Sequence, residues 1–395
     1  MPGPTEELHR DTRRSIRIAQ SCAPDPREAA EELFQGLAQP DMSLVILFCS
    51  SEYDRDALAA AIGRLFAGVE VVGCTTAGEI GPAGCRDRSI AGVSFAAAAC
   101  TAVTGHIERL RQFEIARGQA FAQNLLRRLE SDAPGADRDN SFAFLLVDGL
   151  SMREEPLTHA LQAALGEIPV VGGSAGDGLS FGSTHVYFDG RFASDSAVLA
   201  LVTTPLPFKA FKTQHFVPTD ERLVVTEADS SQRIVKEING LPAAEEYARM
   251  LGVLAGDLAP NHFAASPVVV LIDGANYVRS IQKANPDGTL TFFCAIEEGV
   301  VLRVATGVDL AANLEKVLSQ VGAEIGPPQL VLACDCILRK LEIVQSGLED
   351  RVADIFRRNN AVGFNTYGEQ FCGVHVNQTL TGIAFGAPPT EADGG

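Results

Sequence analysis

The sequence predicts an α/β protein: repeated strand-helix-strand modules forming buried mixed sheets, with a β-rich segment in the C-terminal half. Three observations carry this. Charge-free apolar runs alternate with amphipathic stretches of helix length, the pattern of strands covered by helices on both faces. One strand-helix-strand unit recurs along the chain. The stretch 206–300 breaks that rhythm with short β-rich runs and turn dipeptides.

The first unit opens with "LVILFCSSEYD" (44–54) and reaches "VEVVGCTTAGE" (69–79). Between them Leu58, Ile62 and Leu65 share one helical face. The second unit repeats this with "AFLLVDGLSMR" (143–153) and "IPVVGGSAGDG" (168–178), read as a gapless offset of 99 residues, with Leu157, Leu161 and Leu165 on the helix. A third begins at "LVLACDC" (330–336), continues through a helical segment to about Arg358 and ends in "AVGFNTYGE" (361–369). A matching strand follows each unit: "SIAGVSF" (89–95), "SAVLALV" (196–202) and "TLTGIAF" (379–385). The glycines of the second strands and their turns are expected to serve tight turns with positive φ.

The β-rich segment holds "RLVVTEA", "PVVVLIDG" and "GTLTFFCAI", one helix near 243–251, and the hairpin signals Asn239-Gly240 and Asp287-Gly288. A boundary falls in the Pro-rich 204–207. The expected organisation is therefore an N-terminal domain over 15–205, a C-terminal domain over 206–387 and a disordered tail over 388–395.

Composition narrows the function. With 395 residues, 46% hydrophobic and 21% charged, the chain is globular. A net charge of −18 argues against nucleic-acid and anionic-membrane partners, which need clustered cations. The short basic cluster Arg10, Arg13, Arg14 and Arg17 reads as a solvated helix face. The stretch 89–107 is too rich in Ser, Thr and Gly for a membrane span and reads as strands. Nine cysteines and no apolar leader point to reduced thiols or metal ligands in a cytoplasmic protein, not to a disulfide frame.

Several residue groups bear on chemistry. "GGSAG" (172–176) matches the G-x-S-x-G elbow of hydrolases, but a hairpin rather than a helix is expected after Ser174, so its backbone amides are the better feature, as a cradle for an anion. Cys334 and Cys336 share one face of a strand, and Cys372 is the third thiol the repeat would bring beside them, a set suited to a soft metal or an iron–sulfur cluster. His215 lies among Phe211, Phe216 and Pro218, the setting of a core histidine or of an axial haem ligand. His9, His106, His159, His185 and His262 lack supporting clusters. Arg279 suits the bidentate hold of a carboxylate, with an internal ion pair equally expected. The run 362–382 packs Tyr367, Glu369, Cys372, His375, Asn377 and Gln378 together, and His375, Asn377 and Thr379 form a polar row on one strand face.

Several ordered motifs, among them "IPVVGGSAGDG", "EINGLPAAEEYAR", "YVRSIQK", "TFFCAIEEGVVL", "CDCILRKLE" and "GFNTYGEQ…HVNQT", resemble the FIST sensory proteins over residues 15–387. "KTQHF", "FFCAIEEGVVL" and "CDCILR" resemble their nitric-oxide-sensing haemoprotein subgroup, NosP. The resemblance implies a cytoplasmic sensor, not an enzyme, that binds haem, reports nitric oxide and regulates a histidine kinase or a cyclic-di-GMP enzyme (a diguanylate cyclase or phosphodiesterase). It is compatible with a homo-oligomer. His215 is the first choice of haem ligand and His375 the second, with Arg279 and Tyr367 as further cofactor contacts. The alternative is a haem-free FIST sensor in which the 172–178 amides, Arg279 and the 365–378 polar row bind a zwitterion such as an amino acid. A hydrolase using Ser174 ranks last.

Overall fold

The computed structural model describes residues 15–272 and 274–387. The 388–395 tail, His9 and the arginines at 10, 13 and 14 lie outside the described residues. Three modules of one plan arrange three six-stranded mixed sheets around a shared core. In module 1, Met42–Ser50 and Glu70–Thr76 pair in parallel, with Arg55–Leu65 as the crossover helix. Asp54 starts that helix by accepting from the Ala57 amide at 3.0 Å. Ile90–Ala96 returns antiparallel to Met42–Ser50, and Ile16–Ser21 pairs on its far side. Module 2 repeats the pair with Ser141–Val147 and Val170–Ser174, and module 3 with Leu330–Cys336 and Ala361–Thr366.

Each module also carries an outer strand and a further helix ahead of the repeat read from sequence. These are Ile16–Ser21 with Pro26–Leu37, Thr101–Glu108 with Ile115–Asp132, and Phe208–Thr213 with Leu310–Ile325. Residues 214–309, which take in most of the β-rich 206–300 segment, are thus an insert within module 3, lying between its outer strand and that helix. Ile46 faces Val72 and Phe144 faces Val171. The first strands are therefore 98 residues apart and the second strands 99, which corrects the gapless offset.

Side-chain alternation explains the continuous apolar runs. Ile46 and Phe48 point into the shared core with Phe144, Leu146, Cys334 and Phe364. Val45, Leu47 and Cys49 point outward beneath the helices of module 1. Leu145 with Val147, and Val331 with Ala333, do the same in the other modules. Phe48 stacks on Phe364 at a centroid distance of 4.7 Å, tying sheet to sheet.

The modules are interlocked by exchanged hairpins. The hairpin Glu79–Gly81/Gly84–Arg86 of module 1 pairs with Ala361–Thr366 of module 3. Val186–Phe188/Arg191–Ala193 of module 2 pairs with Glu70–Thr76 of module 1. Glu369–Phe371/Val374–Val376 of module 3 pairs with Val170–Ser174 of module 2. At their roots three equivalent amide bonds run in a cycle: Ala77 to the Asn365 carbonyl at 3.0 Å, Gly176 to Thr75 at 2.9 Å, and Tyr367 to Ser174 at 3.2 Å.

The insert is an eight-stranded sheet with the helices Ala243–Leu251 and Pro260–Ala265. The Asn239-Gly240 turn has positive φ at both residues (54° and 76°), as a tight two-residue hairpin requires.

The strand glycines have another role than the one expected. Gly78 (φ 138°) and Gly368 (φ 147°) do occupy positive φ, but Gly73, Gly172 and Gly363 do not. They sit where the parallel strands press together. A Cβ on Gly172 would lie 1.9 Å from the Leu145 carbonyl oxygen, and one on Gly363 1.8 Å from that of Ala333. Gly172→Ala is therefore expected to cost about 3 kcal/mol or more in chemical denaturation. Gly135→Ala, with nothing within 4 Å, should stay within about 0.5 kcal/mol of wild type.

Candidate functional site

The hairpin registers identify equivalent positions in the three modules. The residue opposite the strand glycine is Ile80 (facing Gly363), Tyr187 (facing Gly73) and Gln370 (facing Gly172). Their cross-strand neighbours are Cys85, Phe192 and His375. Two copies fill the place beneath the crossover helix of the sheet they join with a buried Ile or Tyr. The third fills it with a glutamine and a histidine, both buried. This polar pair is therefore not demanded by the shared architecture.

Nor is it fully satisfied. Among the described residues, eight buried side-chain polar atoms lack a hydrogen-bond partner in the protein. Four of them, His375 Nε2, Gln370 Oε1 and both amide atoms of Asn377, belong to this hairpin and the residue after it. A fifth, Thr158 Oγ1, lies on the helix Glu154–Leu165 that packs against the hairpin. Gly368 lets His375 and Asn377 pack against the main chain at the hairpin's start: a Cβ there would lie 2.7 Å from His375 Nε2 and 2.9 Å from Asn377 Nδ2. At ~1–3 kcal/mol per unpaired buried group, four such atoms call for a partner, an ordered water or a bound polar molecule.

The protonation pattern follows from the contacts. Gln370 Nε2 donates to Ser174 Oγ at 2.9 Å and reaches His375 Nδ1 at 3.3 Å. With Nδ1 as acceptor, the His375 proton sits on Nε2. Burial lowers the His375 pKa to about 4, so the ring is neutral at physiological pH. The Phe293 carbonyl lies close enough to favour the charged ring, but outside hydrogen-bond geometry. Around the cluster, Arg233 Nη2 bridges Glu154 and Glu155 at 2.6 Å each, Glu155 accepts from the Ala295 amide at 3.0 Å, and Arg279 Nη1 stands 3.5 Å from the His375 carbonyl. Gln378, by contrast, is fully engaged with Ser280 and the Ala264 carbonyl.

The other residues singled out from sequence separate. His215 is buried with both nitrogens occupied: Nε2 contacts Glu342 at 2.8 and 2.9 Å, and Arg339 donates to Nδ1 at 3.1 Å. Arg339 is itself paired with Asp335 at 2.6 Å. In this arrangement His215 has no nitrogen open to iron, and His375 is buried at 2% exposure with its Nε2 enclosed among polar groups. Neither environment is the apolar slot a haem needs, so the residues present do not fit that group. The Tyr367 hydroxyl donates to Asp177 and to the Gly178 carbonyl, and its ring packs on Phe181 and Phe293. It pins the 177–183 loop.

The thiols do not converge either. Cys334 points into the shared core. Cys336 joins a smaller apolar cluster with Tyr367. Cys372 is carried across to module 2, where its amide bonds Val170. That is three residues, or about 10 Å, along the strand from Gly173, which neighbours Cys334. Among the described residues no three His, Cys, Asp or Glu side chains are placed to hold a metal. The 172–178 amides are also committed: those of Ser174, Ala175, Gly176 and Asp177 all donate within the protein. No helix follows Ser174, whose hydroxyl is buried against Gln370, so the elbow geometry is absent.

Two equivalent buried carboxyls hold the hairpin roots. Glu369 bonds Thr366 and the amide and hydroxyl of Thr379. Glu79 bonds Thr76 and Ser89 in the same way. Burial raises Glu79 to about 7 and Glu369 to about 8 against those hydrogen bonds. Both folded values lie above the ordinary 4.5. The stability these protonated groups contribute is therefore complete below that pH and is lost as pH rises through about 7 and 8. Glu369→Gln can donate to Thr366 and accept from Thr379. It should leave stability within about 1 kcal/mol at acidic pH and flatten its decline between pH 4.5 and about 8, read by urea unfolding across pH.

The chain is 23% identical to an uncharacterized protein of Methanocaldococcus jannaschii, over 91% of this chain and 76% of that one. Among solved structures, one of a cyanuric acid hydrolase covers 74% of this chain and 99% of its own, at 9% identity and a TM-score of 0.32. Another, from A. caulinodans, covers 94% and 99% at 10% identity and a TM-score of 0.36. Likeness at that level carries nothing about chemistry. No helix among the described residues is long and apolar enough to cross a membrane. Residues 43–241 match the FIST N domain and residues 243–372 the FIST C domain. The chain belongs to the FIST family, whose domains are sensory modules of signal transduction.

Proposed function

We infer that this chain senses a small polar molecule through the third hairpin, at Gln370, His375 and Asn377. The observation that carries this is the convergence of unpartnered polar atoms at the one hairpin whose filling departs from its two equivalents. The atoms offer the His375 Nε2–H and Asn377 Nδ2 as donors, and Gln370 Oε1 and Asn377 Oδ1 as acceptors. A molecule carrying both an acceptor and a donor, such as an amino acid, complements them.

Ligand binding here bears on the contact between two parts of the protein. Gln378 ties the module 3 return to Ser280 and Ala264 of the insert, and Ala295 of the insert bonds Glu155 of module 2. A ligand that favours one setting of this junction shifts the surface offered to a signalling partner. The family resemblance supports a histidine kinase or a cyclic-di-GMP enzyme in that role.

A thermal-shift screen of amino acids tests the reading. At least one should raise the melting temperature of the wild type. Asn377→Leu should stabilise the ligand-free protein by about 1–3 kcal/mol, by removing two unpaired polar atoms, and should abolish the shift. A screen without any stabiliser, or a shift that survives Asn377→Leu, sinks it. The haem and nitric oxide reading has its own check: protein expressed with haem supply should show no Soret band if the hairpin reading holds, whereas a band lost on His215→Ala or His375→Ala would reinstate haem.

A further inference from the structure

The insert's strand Ala275–Arg279 carries two side chains that the architecture does not explain. Tyr277 and Arg279, two residues apart, lie on one side of the strand at about 7 Å spacing. Lys212, near the end of the module 3 outer strand, lies over the Tyr277 ring with Nζ 4.6 Å from the centroid. Gln214, two residues further on, holds the two strands together through the Asn276 carbonyl at 3.2 Å. Arg279 stands against the His375 main chain at 3.5 Å.

Lys212 and Arg279 are thus neighbouring cations, and both are half-buried. Burial lowers the Lys212 pKa, the neighbouring Cys372 thiol opposes that, and the Arg279 charge adds to it. Among the described residues neither forms an ion pair with a carboxylate. This runs against the composition, in which 50 acidic residues outnumber 32 Lys and Arg. The nearby Glu155 is already committed to Arg233 and the Ala295 amide. Two like charges held together, partly out of water, raise the free energy of the ligand-free protein.

We propose that Lys212 and Arg279 hold an oxyanion, the carboxylate or phosphate of a ligand whose polar remainder reaches His375 and Asn377. The inference rests on the third hairpin being the ligand site and adds the charge of the ligand to it. An anion between the two cations turns their repulsion into attraction. The planar guanidinium fits two oxygens at once, and Lys212, braced on Tyr277, supplies a point charge.

The test is thermal melting of the full chain at fixed ionic strength, with chloride replaced stepwise by inorganic phosphate or by acetate. Either anion should raise the wild-type melting temperature saturably, and Lys212→Met and Arg279→Gln should each weaken the apparent affinity about tenfold. The larger response to phosphate assigns a phosphorylated ligand, and the larger response to acetate a carboxylate. In chloride alone, Lys212→Met should melt no lower than wild type, because a like-charge contact has gone. A lower melting point would make Lys212 a structural brace and overturn its assignment. So would the absence of any anion response, or a response unchanged in both variants. Asn377→Leu separates the two readings. It should keep the anion response while losing that to a zwitterion, so each reading can fail alone.

Discussion

Everything in this molecule depends on the exchange of hairpins between modules. Each sheet would end at an exposed second strand, a liability for any β-structure. Each is completed by the hairpin of another module, and the amide bonds of Ala77, Gly176 and Tyr367 close the exchange into a cycle. Because every module needs another's hairpin, none has a finished sheet alone. The shared core of Phe48, Phe144 and Phe364 exists only when all three are assembled.

The same exchange creates the candidate site. A hairpin laid along a neighbouring sheet buries side chains in the place beneath that neighbour's crossover helix. Where Ile80 and Tyr187 fill it, the place is core. Where Gln370 and His375 fill it, the same geometry buries a polar cluster at the meeting of two modules and the insert. One fold thus supplies three similar positions, and side-chain chemistry distinguishes the third.

The insert is anchored by charge as well as by packing. Asp335, Arg339, His215 and Glu342 form a buried chain from the module 3 sheet to the root of the insert. His215 is better understood as a link in that chain than as a ligand to iron. Buried pairs add little net stability over apolar packing, but losing one partner costs several kcal/mol, which holds the insert in one setting. This chain lies on the outer face of the Leu330–Cys336 strand, while Cys334 on its inner face belongs to the shared core.

Much of the fold was legible because burial on both faces writes itself into continuous apolar strands. The repeated units, their crossover helices, the return strands and the hairpin turn at Asn239-Gly240 are all local patterns. The sequence also isolated residues 365–378 as unlike the first unit, and His375 and Asn377 do hold unpartnered polar atoms. What it could not show was which sheet each hairpin joins. A hairpin's main-chain hydrogen bonds are satisfied equally by its own module or by another, and no residue type records the choice. That choice carried Cys372 away from Cys334 and Cys336, spent the Ser174 and Gly176 amides on bonds between modules, and brought Gln370 beneath a helix of module 2. Residue types and periodicity determined the modules. Only the tertiary structure decided which side chains meet, because contacts between distant segments are set by how the sheets are completed.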